Sequence, residues 1–223
     1  MDRRDGFNKL FLNRFMTEVK AAPITREILN DSYTYAQYRE LIDNLMAENK
    51  TTGENHSEAM LHYTKMNTYR MKRLDKTTDL LTELEERLKQ VERPMIWLVL
   101  TEAWCGDAAQ IIPVLQKMAN QTENIEMKLI LRDQNLEIMD EFLTNGKSRS
   151  IPKLVVLDAE SLNVLGDWGP RPTEVQEMYD DWRENDGEDY REISETLQKW
   201  YANDKTKTTQ AELLPYLDKW EYS

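Results

Sequence analysis

An α/β fold with helical extensions at both ends is predicted by three observations. Apolar residues recur at helical spacing before Pro94 and again after Thr173, whereas the runs between them are continuous or alternating, as in strands. Those strand-like runs are separated by further helical stripes, giving the order strand, helix, strand, helix, strand, strand, helix. Hydrophobic residues make up 40% of the 223, with only seven glycines and seven prolines, which favours a packed, helix-rich globule over disorder.

The N-terminal third reads as helices. From Thr34 the apolar residues fall at Tyr35, Tyr38, Leu41, Ile42, Leu45 and Met46, and Thr34 with Gln37 has the spacing of a capping box. Gly53 punctuates the end. A second stripe runs Met60, Tyr63, Asn67, Met71 and Leu74, and a third runs Leu81, Leu84, Leu88 and Val91 before Pro94 stops it.

The middle changes period. Met95 to Leu100 is an unbroken apolar run ending in Thr101, the pattern of a strand covered on both faces. Ala108, Ile111, Ile112, Leu115 and Met118 return to helical spacing, and Ile125 to Leu131 alternates as a second strand. Leu136, Met139 and Leu143 predict a helix closing at Asn145-Gly146. Leu154 to Leu157 and Leu162 to Leu165 predict the last two strands, with Asp158 to Ser161 as the hairpin turn.

A further helix is expected from Thr173, with Thr173 and Gln176 as a capping box over Val175, Met178, Tyr179 and Trp182, interrupted at Asn185-Asp186-Gly187. Tyr190, Ile193, Leu197, Trp200 and Tyr201 form another stripe, and Leu213, Leu214 and Leu217 a final one. The expected organisation is a helical N-terminal extension over 1–93, a central α/β domain over 94–184 and a helical C-terminal extension over 185–223. There is no internal repeat or low-complexity linker, so the extensions are expected to pack on the centre.

Net charge is −12 and uneven: residues 1–93 carry 16 charges of each sign, whereas 174–223 carry 6 basic against 14 acidic. Acidity of this kind repels phosphate backbones and anionic lipid, which argues against nucleic-acid and membrane partners. No apolar run has the length of a membrane span, and Met1 to Gly6 lead into no apolar secretory core. A single cysteine excludes an intramolecular disulfide and, beside eleven methionines, suits a reducing compartment, so a cytoplasmic location is expected.

That cysteine lies in Trp104-Cys105-Gly106-Asp107-Ala108, between the first strand and the next helix. A thiol at the first turn of a helix feels the unpaired N–H groups and the positive end of the helix dipole, which favour thiolate. Asp107 works against this.

Three features together resemble the thioredoxin family: Trp104-Cys105-Gly106 at the strand-to-helix turn, Pro113 inside the following helix, and Ile151-Pro152 opening the third strand. More narrowly, Thr101 to Pro113 and Gly146 to Pro152 resemble bacterial thioredoxin-like proteins with a helical N-terminal extension. The resemblance implies a thioredoxin-like fold, a central mixed sheet flanked by helices, with a cis Ile151-Pro152 bond facing the cysteine. The chain departs from the family at three positions. Ala108 stands at the resolving-cysteine position, Asp107 where many thioredoxins have proline, and Val99 where they have a buried proton acceptor. The full dithiol mechanism is therefore absent.

The expected activity is monothiol thiol-disulfide exchange, with Cys105 attacking a disulfide and an external thiol resolving it. The alternative is a redox-inactive module that binds a protein through the same groove. Trp104, Gly106, Asp107, Arg149, Ile151 and Pro152 are expected to shape the groove, with a protein or a low-molecular-weight thiol or disulfide as partner. Arg149 and Lys153 flank the proline loop and are candidates to offset Asp107. Trp168 is a candidate groove wall, although a buried strand-end position suits it better. His56 and His62 are the only histidines, and Glu58 with His62 at i, i+4 supplies only two ligand types. Neither a cofactor nor a metal is expected, because no Cys/His cluster or glycine-rich phosphate loop is present.

Overall fold

A computed structural model describes residues 24–185, 187 and 189–223; the Met1 to Gly6 lead and Asp186 of the expected helix interruption lie outside the described residues. The N-terminal stripes become α1 (Arg26–Asp31), α2 (Tyr35–Ala47), α3 (Glu58–Thr77) and α4 (Thr82–Leu88). The capping box of α2 is formed. The Thr34 hydroxyl accepts from the Gln37 N–H, and the Gln37 side chain accepts from the Thr34 N–H at 2.8 Å.

β1 (Met95–Thr101) is buried along its whole length, which accounts for its uninterrupted apolar sequence. α5 (Gly106–Ala119) follows, then β2 (Ile125–Leu131), a 3-10 turn at Arg132–Gln134 and the short α6 (Leu136–Asp140). β3 (Lys153–Asp158) and β4 (Val164–Trp168) complete a sheet of order β2-β1-β3-β4. β1 is parallel to β2 and antiparallel to β3, and β3 is antiparallel to β4. The parallel pair needs a crossover, and α5 provides it. Beyond β2, Tyr33 exchanges two backbone hydrogen bonds of 2.8 Å with Leu129, covering part of the sheet edge.

Two loops differ from the sequence expectation. The fourth strand begins at Val164 rather than Leu162, because the turn is longer. Asp158 accepts from the Ser161 N–H and hydroxyl and from the Glu160 N–H, and Leu162 takes a left-handed φ of 61°. Those Ser161 bonds, with help from Arg93, hold the Asp158 carboxyl down at about 2. The helix after β2 ends at Asp140 instead of reaching Asn145, since Thr144 and Ser148 pair in an isolated bridge.

α7 (Thr173–Glu184), α8 (Tyr190–Asp204) and α9 (Lys207–Glu221) close the chain. The expected Thr173–Gln176 capping box is not formed. Pro172 is the N-cap, and the Thr173 N–H donates instead to Glu212 of α9 at 2.7 Å. The other oxygen of Glu212 accepts from the Trp168 indole at 2.8 Å, so one carboxylate ties α7, β4 and α9 together.

α9 returns to the sheet through Trp220, whose ring meets Trp97 of β1 edge-on at 5.9 Å and 75°. Such a pair contributes roughly 0.5–1.5 kcal/mol beyond the area it buries. The contact requires a glycine on β4, because a β-carbon on Gly166 would lie 2.6 Å from the Trp220 indole nitrogen. Arg93 then holds the chain end, donating to Asp158 and to the carbonyls of Trp220, Glu221 and Ser223. Among the described residues no helix is long and apolar enough to cross a membrane. Gly166→Ala is expected to lower unfolding stability by about 1–3 kcal/mol through overpacking, read from urea titrations.

Candidate functional site

The turn that presents Cys105 is held from the N-terminal helical region. Thr52 accepts from the Ala103 N–H at 2.8 Å, and the side-chain amide of Asn67 on α3 donates to the Ala103 carbonyl at 2.9 Å. Asn67 is fully buried, which explains a polar residue within the apolar stripe of α3. On the other side of the turn, Glu102 accepts from the Asp133 N–H at 2.9 Å. Its second oxygen is buried without a hydrogen-bond partner among the described residues. Burial raises the Glu102 carboxyl above its ordinary range, against the pull of Thr52 and the Asp133 N–H.

Cys105 is the N-cap of α5. Its sulfur accepts from the Ala108 N–H at 3.4 Å, and its S–H donates to the Ile151 carbonyl at 3.2 Å. The Ile151–Pro152 bond is cis, as is Gly169–Pro170. The cysteine is 8% exposed. Burial pushes its thiol up to about 12, the Asp107 carboxylate adds to the rise, and the Ala108 N–H and Arg171 oppose it. The thiolate expected from the helix terminus is therefore outweighed by desolvation.

Asp107 is itself buried against Arg171 at 2.8 Å, with both side chains only 8% exposed, and it accepts from the Tyr201 hydroxyl of α8 at 3.1 Å. Burial raises the Asp107 carboxyl, and Arg171 and Tyr201 counter it. Arg171 also lies 4.2 Å from the centre of the Tyr179 ring and donates to Gln176 at 3.1 Å. Its loop can lie this close because Gly169 faces the Pro152 carbonyl, where a β-carbon would sit at 2.5 Å.

Charge neutralisation thus falls to Arg171 and not to the two residues expected from sequence. Arg149 makes a two-pronged pair with Asp140 at 2.6 and 2.7 Å on the surface. Lys153 is buried against Asp167 at 2.9 Å.

A cavity of about 290 Å³ opens on the cysteine. Of the expected site residues, Trp104, Cys105, Gly106, Asp107, Arg149 and Ile151 line it. Pro152 lies behind the wall, buried against Gly169. Trp104 is half-buried, with the Arg132 guanidinium 5.1 Å from its ring centre. Trp168 is buried, consistent with a strand-end role. His56 accepts from the Thr51 N–H at 3.3 Å, and no group of three or more metal-ligating side chains occurs among the described residues.

Sequence reasoning missed Arg70 and Tyr190, which reach the cavity from α3 and α8, and the role of Arg171. Arg70 was legible only as a neighbour of the Asn67 stripe.

The sheet order, the strand-to-helix cysteine and the Ile151-Pro152 loop facing it agree with the comparison of the sequence with known families. A thioredoxin family model, Thioredoxin_9, matches residues 53–183, more than half of the chain. The chain belongs to the thioredoxin family. The match begins before α3, so this thioredoxin region takes in α3 and α4 as well as the sheet.

No curated protein matches the chain. Among solved structures it is similar to an HIV epitope-scaffold, at 23% identity and a TM-score of 0.52, covering 86% of this chain and 99% of that one. It also matches PA1234 of Pseudomonas aeruginosa, a protein of unknown function, at 21% identity and a TM-score of 0.45, covering 76% and 96%. At that identity the likeness to the scaffold shows the fold alone.

Asp107→Asn is expected to cost about 3–5 kcal/mol, because it leaves the Arg171 charge buried and unpaired. It is also expected to move the Cys105 alkylation midpoint downward, since the carboxylate that helps hold the thiol neutral is gone. Urea titration and alkylation against pH on the same sample check both.

Proposed function

We propose that this protein is a thioredoxin-fold binding module whose cavity surrounds a neutral Cys105, and that it does not turn over disulfides. The observation that carries this reading is the position of the sulfur. It is buried beside Asp107, with its proton directed at the Ile151 carbonyl. A free thiol is a few per cent thiolate at neutral pH, and burial together with Asp107 pushes this one further toward the neutral form. Ala108 at the resolving position and Val99 at the acceptor position support the same reading, because neither can complete or assist exchange. Under this proposal the S–H is a hydrogen-bond donor that braces the Ile151 loop, and Trp104, Gly106, Asp107, Arg149 and Ile151 shape the binding surface.

Monothiol exchange is the second reading, favoured by the Ala108 N–H aimed at the sulfur. In that scheme the Cys105 thiolate attacks a disulfide, forms a mixed disulfide and expels one thiolate, and an external thiol then releases Cys105.

Alkylation by iodoacetamide against pH separates the two. The binding-module reading expects slow labelling of the folded protein up to pH 9 and fast labelling in urea, both abolished by Cys105→Ser. A folded-state midpoint below the free-thiol value of about 8.5 overturns it and supports exchange.

A further inference from the structure

We propose that the Cys105 cavity binds a monocarboxylate with an apolar body, and that Arg70 of α3 holds the carboxylate. The inference rests on reading this cavity as a ligand site and adds the chemistry of the ligand.

Four arginines line the cavity, and three of them are already paired. Arg132 meets Asp133 at 2.6 Å, Arg149 meets Asp140 at 2.6 Å and Arg171 meets Asp107 at 2.8 Å. Arg70 has no carboxylate within salt-bridge distance among the described residues. It donates to the neutral Asn67 side-chain oxygen at 2.7 Å. It is nevertheless half-buried; burial and Arg73 work against its charge, and Asp107 partly offsets them. A guanidinium in that state presents a fork of donors that suits a carboxylate. Asp107, on the same wall, favours its charge without closing to a salt bridge, so the fork of Arg70 stays open to a ligand.

The position of Arg70 is also particular. It lines both this cavity and an adjoining one of about 520 Å³ between α3 and α8. A β-carbon on Gly106 would lie 3.7 Å from its terminal nitrogen, so the guanidinium stands beside the first turn of α5. Met60, Tyr63, Trp104 and Tyr190 give the same cavity an apolar and aromatic wall. A single guanidinium without a salt bridge among the described residues matches a monoanion. A phosphate monoester carries about −1.5 to −2, and its second charge would face Asp107 on the same wall.

Calorimetric or NMR titration of the whole protein tests this, using 3-phenylpropanoate against its neutral amide, and a short peptide ending in phenylalanine as free acid against its C-terminal amide. Each acid is expected to bind at least tenfold more tightly than its amide. Tighter binding of the peptide acid assigns the carboxylate to a chain terminus; tighter binding of the small acid assigns it to a metabolite. Arg70→Gln is expected to abolish the preference, Arg70→Lys to keep part of it, and the exposed Arg73→Gln to leave it intact, with thermal melting confirming that each variant folds. The acid and amide titrations of the unmodified protein stand even if Arg70→Gln fails to fold. Equal binding of acid and amide, no binding up to about 10 mM, or an undiminished preference in folded Arg70→Gln overturns the proposal. Absence of acid binding with slow Cys105 alkylation sinks the ligand assignment alone. Acid binding with fast alkylation sinks only the neutral-thiol reading.

Discussion

The buried pair between Asp107 and Arg171 is the interaction on which the cysteine site depends. Each ion costs several kcal/mol to take out of water, and their attraction repays this only when further hydrogen bonds complete the geometry. Tyr201 and Gln176 supply part of that set and the Tyr179 ring covers one face of the guanidinium, while the Arg171 Nε is buried without a hydrogen-bond partner among the described residues. The pair therefore joins the start of α5, the loop after β4, α7 and α8. It also sets the chemistry of the neighbour, because a buried carboxylate two residues from Cys105 favours the thiol over the thiolate.

This arrangement reverses the logic usually read from a cysteine at a helix start. The N–H of Ala108 does point at the sulfur, so the helix terminus exerts its pull. Desolvation and Asp107 are larger. Glu102 shows the same balance, for it is a carboxyl on the cysteine turn whose burial favours its protonated form. It lies three residues before Cys105, whereas Val99 occupies the place of the thioredoxin acceptor. Sequence position alone thus identified the missing acid and overlooked the acid that is present.

Elements governed by local pattern were legible. The change of period at Met95 located β1, and Thr34 with Gln37 located the start of α2, because both depend on residues near in sequence. Features supplied by distant residues were not. Thr173 and Gln176 have the spacing of a capping box, but Glu212 reaches the Thr173 N–H first. Arg149 and Lys153 stand next to the proline loop in sequence, yet acids of their own draw them off, and Arg171 arrives from beyond β4 because Gly169 lets its loop close on Pro152. Arg70 belongs to a helix that periodicity describes as a packing element, and only the contact of α3 with α5 brings it to the cavity.

One side chain couples that helix to the cysteine in both directions. The amide nitrogen of Asn67 holds the Ala103 carbonyl, and its oxygen receives Arg70. A single planar group is thus shared between the peptide that shapes the cysteine turn and a cation that lines the cavity. Because that group is rigid and fully buried, it cannot rotate to serve one neighbour without abandoning the other. Loss of that one amide would withdraw support from the cysteine turn and from the guanidinium together, so the helical region is tied to the cysteine as well as covering the sheet.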